Sequence, residues 1–97
     1  MRRILFAASF DREVEDIGVY LEERFGEPMR RRFLADLAST CDLIARFPGL
    51  GMASHGYQTH LMAFVFRQNW IFFDYDDDSV QFLHIVDARR DKTSFEF

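Results

Sequence analysis

The chain has 97 residues, a length that fits one domain with a single core and leaves no room for a deep cavity. Its 48% apolar composition excludes a disordered chain. Twelve phenylalanines exceed what so small a core needs, so some are expected at the surface, as in partner-binding proteins. The chain has a net charge of −4, whereas nucleic-acid-binding proteins are generally basic, so the charge favours a protein target.

Cysteine content and apolar runs indicate the compartment. Cys41 is the single cysteine, so the chain forms no internal disulfide, and it is expected to be a buried residue of a helix. The start of the chain lacks the apolar stretch of a secretion signal, and no apolar run approaches the ~20 residues of a membrane span. We therefore expect a soluble cytoplasmic protein without a membrane partner.

The first half of the chain predicts a short strand and a helix. Residues 3–8 favour the strand, and Ser9 or Asp11 is expected to cap the helix that follows. Gly26, after Phe25, suits a left-handed position at its end. One helix face carries residues at intervals of three and four: Val14, Ile17, Gly18 and Leu21.

A second helix is predicted from Pro28 to the Phe47-Pro48-Gly49 stop. Its apolar stripe, widened by Leu34 and Ala38, consists of Met29, Phe33, Leu37, Cys41 and Ile44. The run Arg30–Arg32 lies in the first turn, where the helix dipole disfavours cations. It indicates either a solvated face or a contact with an acidic partner. The two helices form a helical hairpin.

The second half predicts a loop over residues 49–58 and then two β-hairpins. Their strands are residues 61–66, 70–75 and 80–86. Turns are expected at Gln68-Asn69 and over residues 76–79. The result is a single α+β domain over residues 1–97, of order β-α-α-β-β-β. The helical hairpin packs on one face of a small, mainly antiparallel sheet and leaves the other face open to a partner or to another copy of the chain. Residues 93–97 form a short C-terminal tail.

Histidines and aspartates are the first candidates for chemistry. His55 and His60 lack further ligands, and no metal site or cofactor site is predicted. The aspartates around residue 76 fit a hairpin turn better than a calcium loop. Strand alternation places His84 on the face of Phe82 and Val86, either as a structural residue or as a general acid or base for RNA cleavage.

Arginines are the second candidates. Arg67 ends the first strand of the first hairpin, and Arg89 and Arg90 follow the last strand. Antiparallel neighbours can bring these groups to one end of the sheet, where guanidinium groups clamp phosphate or stabilise developing charge. The alternative is a surface salt bridge of Arg89 or Arg90 with Asp87 or Asp91.

The pattern resembles the ParE/RelE superfamily of type II toxin–antitoxin toxins, nearer its ParE branch, over residues 4–92. No single part of this pattern is specific for the superfamily, but the order of the parts together with the chain length is specific. The parts are residues 11–20, Phe25-Gly26, Phe33, Leu37, Phe47-Pro48, Gly51, Gly56, residues 71–75 and residues 83–91.

The resemblance implies a plasmid-stabilisation type of toxin that a cognate antitoxin wraps and neutralises in a hetero-oligomer. It also implies that DNA is contacted only indirectly, through the antitoxin complex. An antitoxin helix or strand would lie on the apolar surface of the toxin. The expected contacts are Phe64, Phe66, Trp70, Phe72 and Phe82.

The two branches imply different targets. ParE-like members act on DNA gyrase, whereas RelE-like members cut messenger RNA on the ribosome with basic residues and a C-terminal tyrosine. Here the tail offers Phe95 and Phe97, which cannot transfer a proton. The tail therefore favours the non-nuclease branch, for which the resemblance implies gyrase inhibition by binding, through Arg67, Arg89, Arg90, Phe95 and Phe97.

Two alternatives stay open. The first is a ribonuclease that uses Arg67, His84 and Arg90. The second is an inactive homologue that binds its antitoxin and regulates their operon.

Overall fold

The computed structural model describes residues 1–53 and 61–88. In chain order the elements are β1 (Arg3–Phe6), α1 (Ala8–Phe25), α2 (Glu27–Arg46), a 3-10 turn (Pro48–Leu50), β2 (Met52–Ala53), β3 (Met62–Phe66), β4 (Asn69–Tyr75) and β5 (Ser79–Asp87). They form a five-stranded sheet of order β1-β5-β4-β3-β2, in which β1 runs parallel to β5 and the other pairs are antiparallel. The predicted α+β fold is confirmed, and the short β2 is added within the predicted loop.

Helix α1 begins without the predicted side-chain cap. Ala7 is the N-cap residue, and the prediction that Ser9 or Asp11 would cap the helix is wrong. The Ser9 hydroxyl instead donates to the carbonyl oxygen of Leu83, 2.7 Å away, so a contact with the sheet takes precedence over the cap. At the other end Gly26 has φ of +95°, in the region that favours glycine, and its N–H donates to the Glu22 carbonyl.

The arginine run at the start of α2 makes contacts within the chain. Arg30 bridges to two carboxylates of α1, Glu15 at 2.8 Å and Glu22 at 3.2 Å. A Cβ added at Gly18 would lie 3.0 Å from the Arg30 Nε, so the glycine leaves room for the guanidinium to cross α1. Arg31 pairs with Glu27 one turn earlier on α2. For Arg30 and Arg31 an acidic partner is therefore not needed to explain the sequence.

The main core lies between the helical hairpin and the sheet. From α2 it receives the predicted stripe residues Phe33, Leu37, Cys41 and Ile44, whereas Leu34 and Ala38 remain exposed. Cys41 is 2% exposed, as predicted. Burial, with a smaller contribution from the Asp42 charge, raises the pKa of its thiol to about 12, so the thiolate nucleophile is disfavoured.

A β-bulge changes which residues of β5 face the helices. The register of pairing between β4 and β5 shifts by one residue at this point. Phe72 pairs with His84 and Phe73 pairs with Phe82, so Leu83 is the extra residue of β5. Phe82 and Ile85 therefore both join the main core, while Leu83 and Val86 pack in a second cluster. The prediction that Phe82 and Val86 share a face is wrong because simple alternation does not hold across a bulge.

The second cluster lies on the sheet face opposite the helices. Its buried members are Leu61, Ala63 and Phe72, and Trp70, Leu83 and Val86 pack against them. The prediction that this whole face is open to a partner is therefore wrong at its centre, where large apolar side chains cover one another. Val65, at 48% exposure, remains accessible on β3.

Gly51 allows the segment after α2 to approach the sheet. A Cβ at this position would lie 2.7 Å from the Phe73 ring and 3.2 Å from the Ala63 carbonyl oxygen. Both distances are too short, so a side chain here requires the sheet or the segment to move. The glycine thereby lets β2 pair with β3 directly above the core.

Candidate functional site

The C-terminal half of β5 is bordered by a helix instead of a strand. β1 ends at Phe6, opposite Phe82, so among the described residues no strand pairs with Leu83–Asp87 on that side. Side chains of α1 take over there. Ser9 binds the Leu83 carbonyl as described, and the Glu13 carboxylate accepts the Ile85 N–H at 3.1 Å. Two backbone groups of this strand edge, the Leu83 carbonyl and the Ile85 N–H, are thus satisfied by α1.

His84 is held by the same carboxylate. Its Nδ1 lies 3.1 Å and 3.2 Å from the two oxygens of Glu13, and the side chains are 20% and 29% exposed. A carboxylate that orients an imidazole is an arrangement found in general-base catalysis, and it is equally a structural contact. The sequence analysis named His84 but missed Glu13, because a contact 71 positions apart leaves no local pattern.

A surface groove of about 550 Å³ lies beside this pair, between α1 and the ends of β4 and β5. Its lining is Glu13, Asp16, Ile17, Tyr20, Asn69, Ile85, Val86 and Asp87. Three of these residues are carboxylates, and none of the described lining residues is lysine or arginine. Arg24 is close, with its guanidinium carbon 5.4 Å from the centre of the Tyr20 ring. The groove thus combines apolar walls with negative charge.

Arg67 lies in the turn between β3 and β4. Since Phe66 pairs with Asn69, the turn is Arg67-Gln68, one residue earlier than predicted. Arg67 has φ of +55°. Its guanidinium pairs with Asp36 of α2, and the guanidinium carbon lies 5.7 Å from the centre of the Phe66 ring. This candidate therefore already has an anionic partner within the chain.

The end of β5 reaches the same turn. The Ala88 N–H donates to the Gln68 carbonyl at 2.7 Å, so the chain leaves the sheet beside Arg67. The remaining predicted site residues lie outside the described residues: His55, His60, Arg89, Arg90, Phe95 and Phe97.

The predicted antitoxin contacts divide into two groups. Phe66, Phe72 and Phe82 are buried in the protein's own core clusters, whereas Phe64 and Trp70 are half-buried. The exposed aromatic and large apolar residues lie elsewhere, and they include Phe6, Tyr20, Phe25, Phe47, Leu50 and Met52. The surplus of phenylalanine predicted that some rings would be exposed. Which rings are exposed depends on where the helices end and which strands lie at the sheet edges. Phe25 and Phe47 both lie at helix C-termini outside the predicted apolar stripes.

The aspartate segment before β5 is a turn. The Asp76 Oδ1 accepts the N–H groups of Asp78 and Ser79, each at 2.8 Å. These backbone hydrogen bonds lower the pKa of the Asp76 carboxyl. Within residues 1–53 and 61–88 no group of three or more His, Cys, Asp or Glu side chains is placed to hold a metal ion.

In the part of the chain that the structure describes, neither α1 nor α2 has the combination of length and apolar character needed to cross a bilayer.

Solved structures share this fold at low sequence identity. The chromosomal ParDE system of P. aeruginosa matches with a TM-score of 0.76 and 10% identity, covering 91% of this chain and 97% of the other. A conserved hypothetical protein of Helicobacter pylori has a TM-score of 0.62 and 14% identity, with 93% and 98% covered. The E. coli DinJ–YafQ complex has a TM-score of 0.53 and 13% identity, with 92% and 96% covered.

Sequence comparison identifies the family directly. None of the curated proteins matches the sequence significantly. The profile described as the ParE toxin of type II toxin–antitoxin system, parDE, matches residues 4–92, nearly the whole chain. With the sheet order and the helical hairpin, this match confirms the resemblance drawn from the sequence. The chain belongs to the ParE toxin family of type II toxin–antitoxin systems.

Proposed function

We propose that this toxin inhibits DNA gyrase by binding it, without cleaving RNA, and that a cognate antitoxin neutralises it in a cytoplasmic hetero-oligomer. The observation that carries the choice against a nuclease is the electrostatic setting of His84. A plasmid-stabilisation role and indirect contact with DNA through the antitoxin complex belong to the same proposal.

Cleavage of RNA needs a surface that accepts phosphate next to the general base. His84 instead contacts Glu13, and the adjoining groove adds the carboxylates of Asp16 and Asp87. Each carboxylate repels the phosphate that would have to approach the imidazole. This arrangement supports binding of a protein surface over catalysis on RNA.

Arg67 does not decide between the two functions, because its guanidinium pairs with Asp36 at the surface. The pair is about half exposed, so it competes only weakly with a protein carboxylate and remains available for exchange at an interface. We therefore retain Arg67, with Arg89 and Arg90, as target-binding residues of the proposal.

Half-buried Phe64 and Trp70 are the predicted antitoxin contacts that a partner can reach without opening the core. Exposed Phe6, Phe25 and Phe47 provide further apolar area for a wrapping partner. The DinJ–YafQ structure is described as a toxin–antitoxin complex, and by analogy we place an antitoxin on this chain.

The test is a gyrase supercoiling assay with purified toxin, alone and after addition of the product of the adjacent gene. We expect inhibition by the free toxin and its relief by that product. The double variant Arg89→Ala/Arg90→Ala is expected to lose inhibition while keeping its thermal midpoint. Full inhibition by the double variant would remove these arginines from the proposal.

One second candidate is a ribosome-dependent nuclease, which is favoured by the orientation that Glu13 gives to the His84 imidazole and opposed by the negative charge around it. It predicts messenger cleavage in cells that express the chain and loss of that cleavage in His84→Ala. Cleavage that depends on His84, with gyrase unaffected, would replace the proposed function by this candidate.

A further inference from the structure

The groove between α1 and the ends of β4 and β5 has a chemistry that specifies its occupant. We infer that it docks a cationic segment of the antitoxin, in which a lysine or arginine is flanked by apolar residues. This inference rests on the proposed function, because it assumes that an antitoxin binds the chain.

The shape of the groove supports a peptide-sized occupant. About 550 Å³ is the volume of several side chains, and Ile17, Ile85 and Val86 provide apolar contact along it. The groove also follows the part of β5 that no described strand covers. An extended or helical segment can therefore lie along the strand edge with its apolar residues against these side chains.

Charge determines which segment fits. Glu13, Asp16 and Asp87 line the groove, and the described lining has no lysine or arginine. An acidic segment or a phosphate backbone would meet like charge, whereas a cationic side chain gains from the exposed carboxylate of Asp16. Asp16 is the sharpest probe of the three, since it is exposed and no hydrogen bond of the described structure depends on it.

The tyrosine adds a further favourable contact. Tyr20 lines the groove and is about half exposed, and the guanidinium of Arg24 already lies near its ring. The ring therefore has the environment in which cation–π contacts form. An arginine of the incoming segment can combine this contact with a bidentate pair to Asp16.

The test compares affinities for the adjacent-gene product by isothermal titration calorimetry. The variants are Asp16→Lys and Asp16→Asn. The control is Asp42→Lys, which makes the same charge change at an exposed position of α2 outside the groove lining. Thermal unfolding of each free variant checks that the fold is intact.

We expect Asp16→Lys to weaken binding by about tenfold or more and Asp16→Asn to have a smaller effect. The control is expected to change affinity by less than about twofold. The Kd of the wild type should rise with salt more steeply than that of Asp16→Lys, because a charge contact has been removed from the variant.

Three results would overturn the inference. Equal losses for Asp16→Lys and the control would show a general charge effect. Unchanged affinity, with a lowered thermal midpoint of free Asp16→Lys, would show that the groove serves the chain's own packing. In both cases the proposed function stands. No binding by the wild type would overturn the proposed function together with the inference.

Discussion

The two halves of β5 are held in place by different means. Residues 79–82 pair with β1 through a parallel backbone ladder, whereas residues 83–87 meet side chains of α1 on that side. The change occurs at the bulge, where Leu83 is added to the strand. Both halves pair with β4, but on the opposite side the first half depends on backbone pairing with β1 and the second on Ser9 and Glu13.

This difference separates the half of β5 that pairs with β1 from the half that borders the groove. A ladder leaves no accessible backbone for a partner, while a helix beside a strand edge creates a groove. The carboxylates among the described lining residues of the groove lie on α1 or at the end of β5. The exposed lining residue Asp16 of α1 is therefore where the chain can change its binding properties without changing its core.

The largest effect is expected from Phe82→Ala in the first half. Phe82 is fully buried and its ring lies 5.7 Å from Phe10 and 6.0 Å from Phe73, between centroids. Loss of the ring leaves a cavity, and the free energy of unfolding should fall by about 3–5 kcal/mol. Urea denaturation measures this change.

The matched control for Phe82 is Phe25→Ala, at 60% exposure. Its unfolding free energy should change by no more than about 0.5 kcal/mol. A loss for Phe82→Ala as small as that of the control would contradict the assignment of Phe82 to the core.

The second half is tested by Glu13→Ala. This change leaves the Ile85 N–H without its acceptor and removes the contact with His84, so the unfolding free energy should fall by about 1–2 kcal/mol. Hydrogen exchange gives the sharper measurement. The Ile85 amide should exchange faster, while the amides of residues 79–82 keep their protection.

Two variants make the Glu13 result specific. Glu13→Gln retains an acceptor oxygen and should recover most of the Ile85 protection. Glu23→Ala removes an exposed carboxylate of the same helix and should leave exchange unchanged. Faster exchange across the whole of β5 in Glu13→Ala would show that the two halves are not independent.

Sequence patterns predicted the helices and strands of the fold better than the contacts that hold the second half of β5. Periodic apolar residues located both helices, and Phe33, Leu37 and Ile44 are buried as the stripe predicted. Apolar runs separated by turn residues also located β3, β4 and β5. These predictions succeed because each pattern is local, and because burial of one face is the main requirement of each element.

The site could be predicted only in part. The bulge at Leu83 depends on how β4 and β5 pair, and the role of Glu13 depends on α1 crossing the strand edge. Neither leaves a short-range signal. Ser9 shows the same limit: serine is typical of helix caps, but the Ser9 hydroxyl donates to a carbonyl oxygen 74 positions away. Side chains that join distant elements are therefore where sequence reasoning fails here.

Ser9→Ala is expected to have a smaller effect than Glu13→Ala. It removes one hydrogen bond to the Leu83 carbonyl, which can still meet water in this partly buried place, and should cost about 0.5–1 kcal/mol. Ser39→Ala, at an exposed position of α2, is the control. A double-mutant cycle with Glu13→Ala then measures coupling between the two contacts. Strict additivity would mean that Ser9 and Glu13 hold β5 independently.

The smallest effect is expected at the start of β5, from Asp76→Ala. The Asp76 carboxylate caps the turn by accepting the Asp78 and Ser79 N–H groups, and these bonds lower its pKa in the folded state. A lowered folded pKa means that this stabilisation is complete above the carboxyl's ordinary pKa, about 3.8, and is lost as pH falls through the folded value. Wild type should therefore exceed Asp76→Ala in thermal midpoint at neutral pH, and the difference should shrink below about pH 4. Asp77→Ala, one residue along the same turn, should show no such convergence. If the difference for Asp76 stayed constant down to acidic pH, the turn would depend on the shape of the side chain and not on its charge.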